Sequence, residues 1–169
     1  MDFSTEFIGL RDRMAQSMQK GFVLSQNVDV KGRMAALYGT FGIDEERKLL
    51  GIMGTGLSTH AHEYRVLFAE PELNEAQLEQ WWNYVKTLQS ELVTPDAAHE
   101  FSIISMILAC ADPDKSVQKK IKKLTSECSY RAPAHGWSSV RLAVVDLNAR
   151  KVYTNRMGGP LKDLLAEWL

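Results

Sequence analysis

The sequence is poor in cysteine and has almost no excess of charge. Its 169 residues include two cysteines, Cys110 and Cys128, too few for a disulfide framework, so both thiols are expected to be reduced and buried in a cytoplasmic protein. The 20 basic and 21 acidic residues leave a net charge of −1, which excludes a global attraction to nucleic acid or to an anionic membrane. Any such role must come from a local patch of charge.

Long apolar segments and low-complexity segments are also absent. The first residues mix apolar positions with Asp2, Glu6 and Arg11, so neither a signal peptide nor a membrane-spanning helix is expected. No linker divides the chain, and a chain of this length can bury a core of its own. We therefore expect a single domain over residues 1–169 and no membrane partner.

The most regular part of the chain is a strand followed by a helix. Residues 101–110 contain no charge, proline or glycine, which is typical of a strand covered on both faces, with a buried helix as the alternative. Asp112-Pro113 is typical of a helix N-terminus, so a helix is expected over 113–128. Its apolar positions are spaced by three or four residues: Val117, Ile121, Leu124 and Cys128.

An upstream segment repeats this order. Residues 61–69 predict a strand that ends at Glu70-Pro71, and Asn74 with Gln77 forms the pattern of a capping box at the start of a helix. Two consecutive strand–helix units predict neighbouring parallel strands. Both units open with Ala-His-Glu followed by an aromatic residue, which is either the trace of a duplication or a coincidence. The apolar face of the upstream helix is formed by Leu78, Trp81, Trp82, Val85, Leu88 and Leu92.

The remaining segments predict an outer helix, further strands and a closing helix. Apolar spacing indicates a first helix that ends at Lys20-Gly21, and residues 22–24 look like a strand before a turn near Asn27 or Lys31-Gly32. Residues 137–145 and 150–155 predict a hairpin, and residues 158–169 a final helix.

Residues 33–53 are ambiguous. They predict either two strands, 33–41 and 48–53, joined over 42–46, or two short helices. Five glycines between Gly39 and Gly56 favour the hairpin, because each would destabilise a helix interior by up to about 1 kcal/mol relative to alanine. The predicted fold class is therefore α+β, with a mixed sheet of about five to six strands, helices on one or both faces and a central strand–helix–strand–helix unit.

Histidines and a glutamate cluster where the two predicted parallel strands begin. His60, His62 and Glu63 lie at the start of the first strand and His99 at the start of the second. Neighbouring strands are about 4.8 Å apart, so these side chains could hold a divalent metal that activates water in a hydrolase or nuclease. Their spacing is not that of the zinc-protease motif, and ligands of open parallel sheets bind at the carboxyl ends of the strands. Surface or hydrogen-bonded histidines are the simpler interpretation.

The carboxyl ends of the predicted strands offer a second kind of site. Glu70 and Asp112 follow the two parallel strands, where a cleft at the sheet edge would bring them together as paired acids, and Arg141 on the next strand is a third candidate. Asp112 is also explained as a helix N-cap. The glycine-rich segment 51–56 suggests a phosphate loop but matches neither established glycine motif.

Four lysines in the predicted helix 113–128 suggest a third kind of site, a contact with nucleic-acid phosphates. They are Lys119, Lys120, Lys122 and Lys123. No aromatic residues alternate with them, so an ordinary solvated helix face explains them as well.

No pattern in the sequence is specific enough to assign a reaction, so whether the protein is an enzyme stays open and no cofactor is expected. The leading hypothesis is a cytoplasmic binding or regulatory module, a homodimer with a small-molecule cleft at the sheet edge. The metal-dependent hydrolase and the nucleic-acid-binding protein are the alternatives. The helix with Trp81 and Trp82, or the last helix with Trp168, is the predicted dimer contact, because interfaces favour aromatic anchors.

Overall fold

The two apolar strands predicted near the middle of the chain lie at the centre of a seven-stranded mixed sheet. The computed structural model of the protein describes residues 2–49, 53–132 and 134–169. Its α-helices are α1 (Phe3–Met18), α2 (Glu75–Leu92), α3 (Lys115–Lys120) and α4 (Gly159–Ala166). Its strands are β1 (Val23–Val30), β2 (Arg33–Leu49), β3 (Met53–Ala69), β4 (His99–Cys110), β5 (Glu127–Ser129), β6 (Trp137–Asp146) and β7 (Lys151–Thr154).

The strand order combines an antiparallel half with a parallel half. The strands are arranged β1-β2-β3-β4-β6-β5, and β7 also pairs with β6. β1, β2 and β3 are antiparallel to one another, while β3, β4 and β6 are parallel neighbours. The prediction of an α+β fold with a mixed sheet and a central strand–helix–strand unit is confirmed.

Each face of the sheet has its own hydrophobic core. Ile104, Met106 and Leu108 of β4 pack in one core with α2 and α3. Ile107 and Ala109 of the same strand pack in the other core with α1 and α4. Alternate side chains of a strand point to opposite faces, so β4 is covered on both sides, as its composition predicts.

Helix α2 begins with the predicted capping box. The Asn74 side chain accepts a hydrogen bond from the Gln77 backbone N–H at 2.9 Å, and the Gln77 side chain accepts from the Asn74 N–H at 2.8 Å. The preceding Leu73 and the later Leu78 are both buried in the α2 core. The start of the helix is therefore fixed by a local capping box and by burial of the apolar residues on either side of it.

The predicted hairpin over residues 42–46 is wrong, because β2 continues unbroken through those positions. Its glycines serve close packing instead of a turn. A Cβ on Gly39 would lie 2.4 Å from Met18 Cε at the end of α1, and one on Gly42 would lie 3.2 Å from Nδ1 of His62. The predicted strand 48–53 and the suggested phosphate loop 51–56 include residues 50–52, which lie outside the described residues.

The predicted helix over residues 113–128 is also shorter than expected. Helix α3 ends at Lys120 and tightens into one 3-10 turn, Ile121–Lys123. The chain then becomes β5, in which Cys128 pairs with Ser138 of β6. The backbone pairing to β6 overrides the helical spacing, so Cys128 is exposed whereas Cys110 is buried. Asp112 is not the N-cap of α3, because Asp114 occupies that position.

Candidate functional site

Part of the α1/α4 face of the sheet extends beyond the residues that the two helices cover. Strand register aligns Leu37, Leu67, Ile107 and Ala143 across the sheet beneath those helices. The next three aligned rows are Gly39, Arg65, Ser105 and Arg141; then Phe41, Glu63, Ile103 and Ser139; then Ile43, Ala61, Phe101 and Trp137. We call these three rows the open half-face. Its outer row carries exposed side chains, since Ile43 is 40% and Trp137 is 41% exposed.

One ion pair lies within the open half-face. The Arg65 Nε donates to the Glu63 Oε1 at 2.8 Å, and the two side chains are 15% and 17% exposed. The Ser105 hydroxyl also points at Glu63 Oε1, at 3.4 Å. The Arg65 guanidinium also lies 4.7 Å from the centre of the Phe22 ring, so Arg65 has both a carboxylate partner and an aromatic contact within the protein.

Arg141 lies on the far side of Ser105 from Arg65 and has no such partner. Its Nε is buried without a hydrogen-bond acceptor in the described part of the chain, and none of the ion pairs formed there includes it. The Ser139 hydroxyl, two residues earlier on the same face, is 1% exposed and likewise has no partner among the described residues. Buried polar groups are normally hydrogen-bonded, so these two neighbouring side chains, each with an unsatisfied buried polar atom, are exceptions.

A small cleft of about 250 Å³ opens beside Arg141. Its lining is mostly apolar and includes one acidic residue, one histidine and one arginine: Phe41, Ile43, Ala61, His62, Glu63, Phe101, Ile103 and Arg141. Phe101 stacks on Trp137 at its rim, with ring centres 5.4 Å apart and an angle of 23° between the planes. We call this depression the Arg141 cleft.

The structure separates Arg141 from the other two residues of the predicted edge cleft. Glu70 accepts hydrogen bonds from Trp81 Nε1 at 2.8 Å and from Gln77 Nε2 at 3.3 Å, so it anchors helix α2. Asp112 is exposed just after β4. Both acids lie at the carboxyl ends of the parallel strands, whereas Arg141 lies in the middle of β6. The predicted trio is therefore not one site.

The carboxyl ends nevertheless concentrate negative charge around Cys110. Burial, followed by the carboxylates of Asp146, Asp112 and Glu70 in that order, raises the pKa of the Cys110 thiol to about 12. A thiol with so high a pKa stays protonated at neutral pH and is a poor nucleophile. The buried, reduced thiol predicted for Cys110 is consistent with this environment.

His60 and His62 contact each other near the amino end of β4. His60 Nδ1 lies 3.0 Å from His62 Nε2, and His60 Nε2 lies 2.9 Å from Asp96 Oδ1. His60 is the register partner of His99 across the parallel pair. The pKa of His62 is lowered, first by burial and then by the charge of His60.

His99 uses both ring nitrogens within the protein. Nδ1 contacts the carbonyl oxygen of His135 at 2.7 Å, and Nε2 contacts the Ser102 hydroxyl at 2.9 Å. Nδ1 of His135 in turn contacts the Pro95 carbonyl at 2.8 Å. These bonds join the loop before β4 to the loop before β6.

The predicted metal set is divided between the two faces of the sheet. His62 stacks on Tyr64, which packs against the α2 core, whereas Glu63 points to the opposite face and pairs with Arg65. No three or more His, Cys, Asp or Glu side chains in the described part of the chain are placed to hold a metal ion. The two Ala-His-Glu segments are also out of register, because Ala61 pairs with Phe101 and not with Ala98.

The four predicted nucleic-acid lysines do not form one surface. Lys120 is bound to helix α2 through Glu75 at 3.2 Å and Glu79 at 3.0 Å. Lys119, Lys122 and Lys123 are exposed on α3 and the turn that follows.

The tryptophans predicted to anchor a dimer are used in the cores. Trp81 and Trp82 are 5% and 7% exposed, and Trp168 packs against the α1/α4 core. Within the described residues no helix is both long and apolar enough to span a membrane.

Sequence reasoning identified Arg141 but missed the residues around it. Ser105 and Ser139 each place a polar group among the apolar residues of β4 and β6, and Arg65 directly precedes the apolar end of β3. That interruption is the signal in the sequence. This signal becomes informative only once the strand register shows that the polar residues of β3, β4 and β6 lie next to one another.

Comparison with known proteins identifies one family. A family model described as "Domain of unknown function (DUF8052)" matches residues 8–167. No curated protein and no solved structure matches the chain.

Proposed function

The chain belongs to this family, and we propose that it is a binding module whose Arg141 cleft holds a small organic carboxylate. The observation that carries the proposal is the half-buried Arg141 guanidinium, which has no carboxylate partner in the described part of the protein. Arg65 lies in the same row of the sheet, on the far side of Ser105, and its guanidinium is paired with the Glu63 carboxylate. Arg141 lacks such a pairing among the described residues.

An unpaired arginine in this position is unfavourable for folding. Removing a charged or polar group from water without a compensating partner costs free energy, and an apolar side chain of similar length would avoid that cost. The position therefore favours a role that folding alone does not require. A ligand that supplies the missing acceptor is the simplest such role.

The chemistry of the guanidinium indicates the ligand's anionic group. Its planar donors match the two oxygens of a carboxylate, and such charge-assisted bonds are stronger than neutral ones. Glu63 lines the other side of the cleft and would repel a second negative charge, so a singly charged acid is favoured over a dianion.

The remaining lining indicates the rest of the ligand. Ile43, Phe101 and Ile103 are apolar, so they suit a hydrocarbon or aromatic body. The cleft volume of about 250 Å³ is below the usual range of roughly 300–1,000 Å³ for drug-sized ligands. We therefore expect a compact monocarboxylic acid.

Calorimetric titration with butyrate, hexanoate, benzoate and phenylacetate tests the proposal, with the corresponding amides as neutral analogues. At least one acid should bind saturably while its amide does not. Arg141→Met should weaken that binding about tenfold or more, since a charged hydrogen bond contributes about 1.5–3 kcal/mol. Arg13→Met, an exposed change on α1, is the matched control and should leave the affinity unchanged.

Thermal melting of the same variants separates binding from structure. Arg141→Met should melt at the wild-type temperature or above it, because a half-buried arginine whose buried Nε has no acceptor in the described part of the chain is replaced by an apolar side chain. A fall of several degrees would show that Arg141 stabilises the fold and would remove the basis of the proposal. Equal binding of acid and amide, or no binding by any acid, would contradict it directly.

The predicted homodimer and the cytoplasmic location remain proposals. A dimer would have to use surfaces other than Trp81 and Trp82, because those side chains lie in the core. Light scattering coupled to size exclusion measures the mass in solution, and a monomer at high micromolar concentration would contradict the dimer.

A further inference from the structure

A second surface, distant in the fold from the Arg141 cleft, collects basic side chains from four elements and the β6–β7 turn. One concavity of about 490 Å³ lies between the 3-10 turn after α3, strand β7 and helix α4. A second, of about 460 Å³, lies between α3 and the β6–β7 turn. The two adjoin, because both are lined by Lys122, Lys151 and Tyr153.

Six cations line these two concavities, which we call the basic groove. They are Lys115, Lys119, Lys122, Arg150, Lys151 and Lys162, and all six are exposed. None of them forms an ion pair with a side-chain carboxylate in the described part of the chain, although Lys31, Arg65 and Lys120 elsewhere do. Arg150 donates a hydrogen bond to the main-chain oxygen of Leu169, and the other five cations are lysines without such a bond among the described residues. The concentration is local, since the whole chain has a net charge of −1.

Two carboxylates also line the groove but do not neutralise it. Asp146 is 3% exposed and accepts a hydrogen bond from the Ala149 backbone N–H at 2.8 Å, which commits it to the β6–β7 turn. Asp112 is exposed at the far end of the second concavity. Six basic side chains against these two acids leave an excess of positive charge.

We propose that the basic groove binds the phosphodiester backbone of a nucleic acid. Lysines and arginines spread over two adjoining concavities suit a row of regularly spaced phosphates better than a single phosphate group. Tyr153 lies between them, half-buried, where its ring could contact a base or sugar. The groove replaces the surface predicted from sequence. Lys120 is held by ion pairs and Lys123 does not line the groove, whereas Lys115, Arg150, Lys151 and Lys162 are added.

An anionic membrane fits the groove less well. Interfacial binding needs apolar side chains that enter the lipid as well as cations. The large apolar side chains exposed in the described residues are Ile8, Val23, Met34, Ile43 and Trp137, and none of them lines either concavity.

Fluorescence anisotropy with a labelled single-stranded oligodeoxynucleotide over a salt series tests the proposal. If six phosphates are neutralised, the logarithm of the binding constant should fall with the logarithm of salt concentration with a slope of about −4. Lys122→Glu with Lys151→Glu should weaken binding at least about tenfold and reduce the magnitude of the slope by about 1.4, because each lost phosphate contact contributes about 0.7 on a single strand. Lys20→Glu with Lys86→Glu makes the same change in charge at exposed positions outside the groove and should have little effect.

The alternatives give different results. Displacement of the oligonucleotide by inorganic phosphate, but not by chloride at equal ionic strength, would indicate a single-phosphate site and overturn the proposal. Binding to phosphatidylserine vesicles without binding to the oligonucleotide would do the same. Equal weakening by the two double variants would show that only overall charge matters. Because the groove and the Arg141 cleft share no residue, Arg141→Met should leave oligonucleotide binding unchanged.

Discussion

Truncating Ile104 should test the central strand of the fold most directly. Ile104 is fully buried in the middle of β4, pairs with Tyr64 of β3 and Val140 of β6, and packs in the core under α2. Hydrogen-bonded neighbours on both sides hold the strand in place, so the protein cannot easily collapse around a smaller side chain.

The expected cost of Ile104→Ala lies in the upper part of the usual range. Deleting a buried isoleucine side chain to alanine costs about 2–5 kcal/mol, and the higher values belong to sites that do not relax. We therefore expect about 4 kcal/mol. With roughly 2–4 °C lost per kcal/mol for a chain of this size, the melting temperature should fall by about 8–16 °C. Ile104→Asp should prevent folding, because it buries an unpaired carboxylate.

Urea unfolding followed by circular dichroism measures the loss. At a slope of about 2 kcal/mol per molar urea, 4 kcal/mol moves the midpoint by about 2 M. Val23→Asp is the control, because Val23 is 75% exposed on the edge strand β1 and surface changes usually cost less than about 0.5 kcal/mol. An Ile104→Asp protein that is soluble and melts cooperatively would show that β4 is not a doubly covered strand.

Three further predictions follow from single side chains. The lowered pKa of His62 favours its neutral form. Its contribution to the free energy of unfolding should therefore be complete above the unfolded pKa of about 6.5 and be lost as pH falls from there towards the folded pKa. His60→Gln should raise the His62 pKa in an NMR titration. Native protein should react with Ellman's reagent at Cys128 alone, and Cys110 should react only after unfolding. Gly136→Ala should destabilise the protein by several kcal/mol in urea, because its φ is +71° and a Cβ would lie 2.2 Å from the Glu100 carbonyl oxygen.

Each of these has its own control. An unchanged His62 titration in His60→Gln would contradict the contact between the two imidazoles, and His99→Gln should shift it less, since the charge of His99 acts more weakly on His62. Cys128→Ser should abolish the native thiol reaction. Gly32→Ala, with φ of +88° but no atom within 4 Å of the added Cβ, should cost only about 1 kcal/mol, and an equal loss at the two glycines would refute the clash.

Local signals predicted those elements whose contacts are close in sequence. The apolar composition of 101–110 predicts a covered strand, and Asn74 with Gln77 predicts the start of α2, because the physical causes lie within a few residues. The glycines of β2 are different. A side chain at Gly39 would meet Met18, and one at Gly42 would meet His62. Neither contact can be read from the sequence of β2 itself.

The candidate site was predictable only in part for the same reason. Arg141 could be selected as a charged residue inside an apolar strand. Its isolation from Glu70 and Asp112, and its alignment with Ser105 and Arg65, depend on the register of β3, β4 and β6. Likewise, helical spacing alone predicted that α3 would extend to Cys128. The pairing of β5 with β6 is a contact that no local pattern encodes.

The shared core of α1 and α4 has a consequence for the order of folding. Residues 3–18 and 159–166 close the same face of the sheet, although most of the chain separates them. During synthesis α1 leaves the ribosome first and can pack on β2 as soon as that strand forms, whereas α4 emerges last. Contacts between such distant segments are slow to form. The nascent chain should therefore pass through a stage in which the α2 face is finished and the α1/α4 face is only partly covered, until the closing helix completes it.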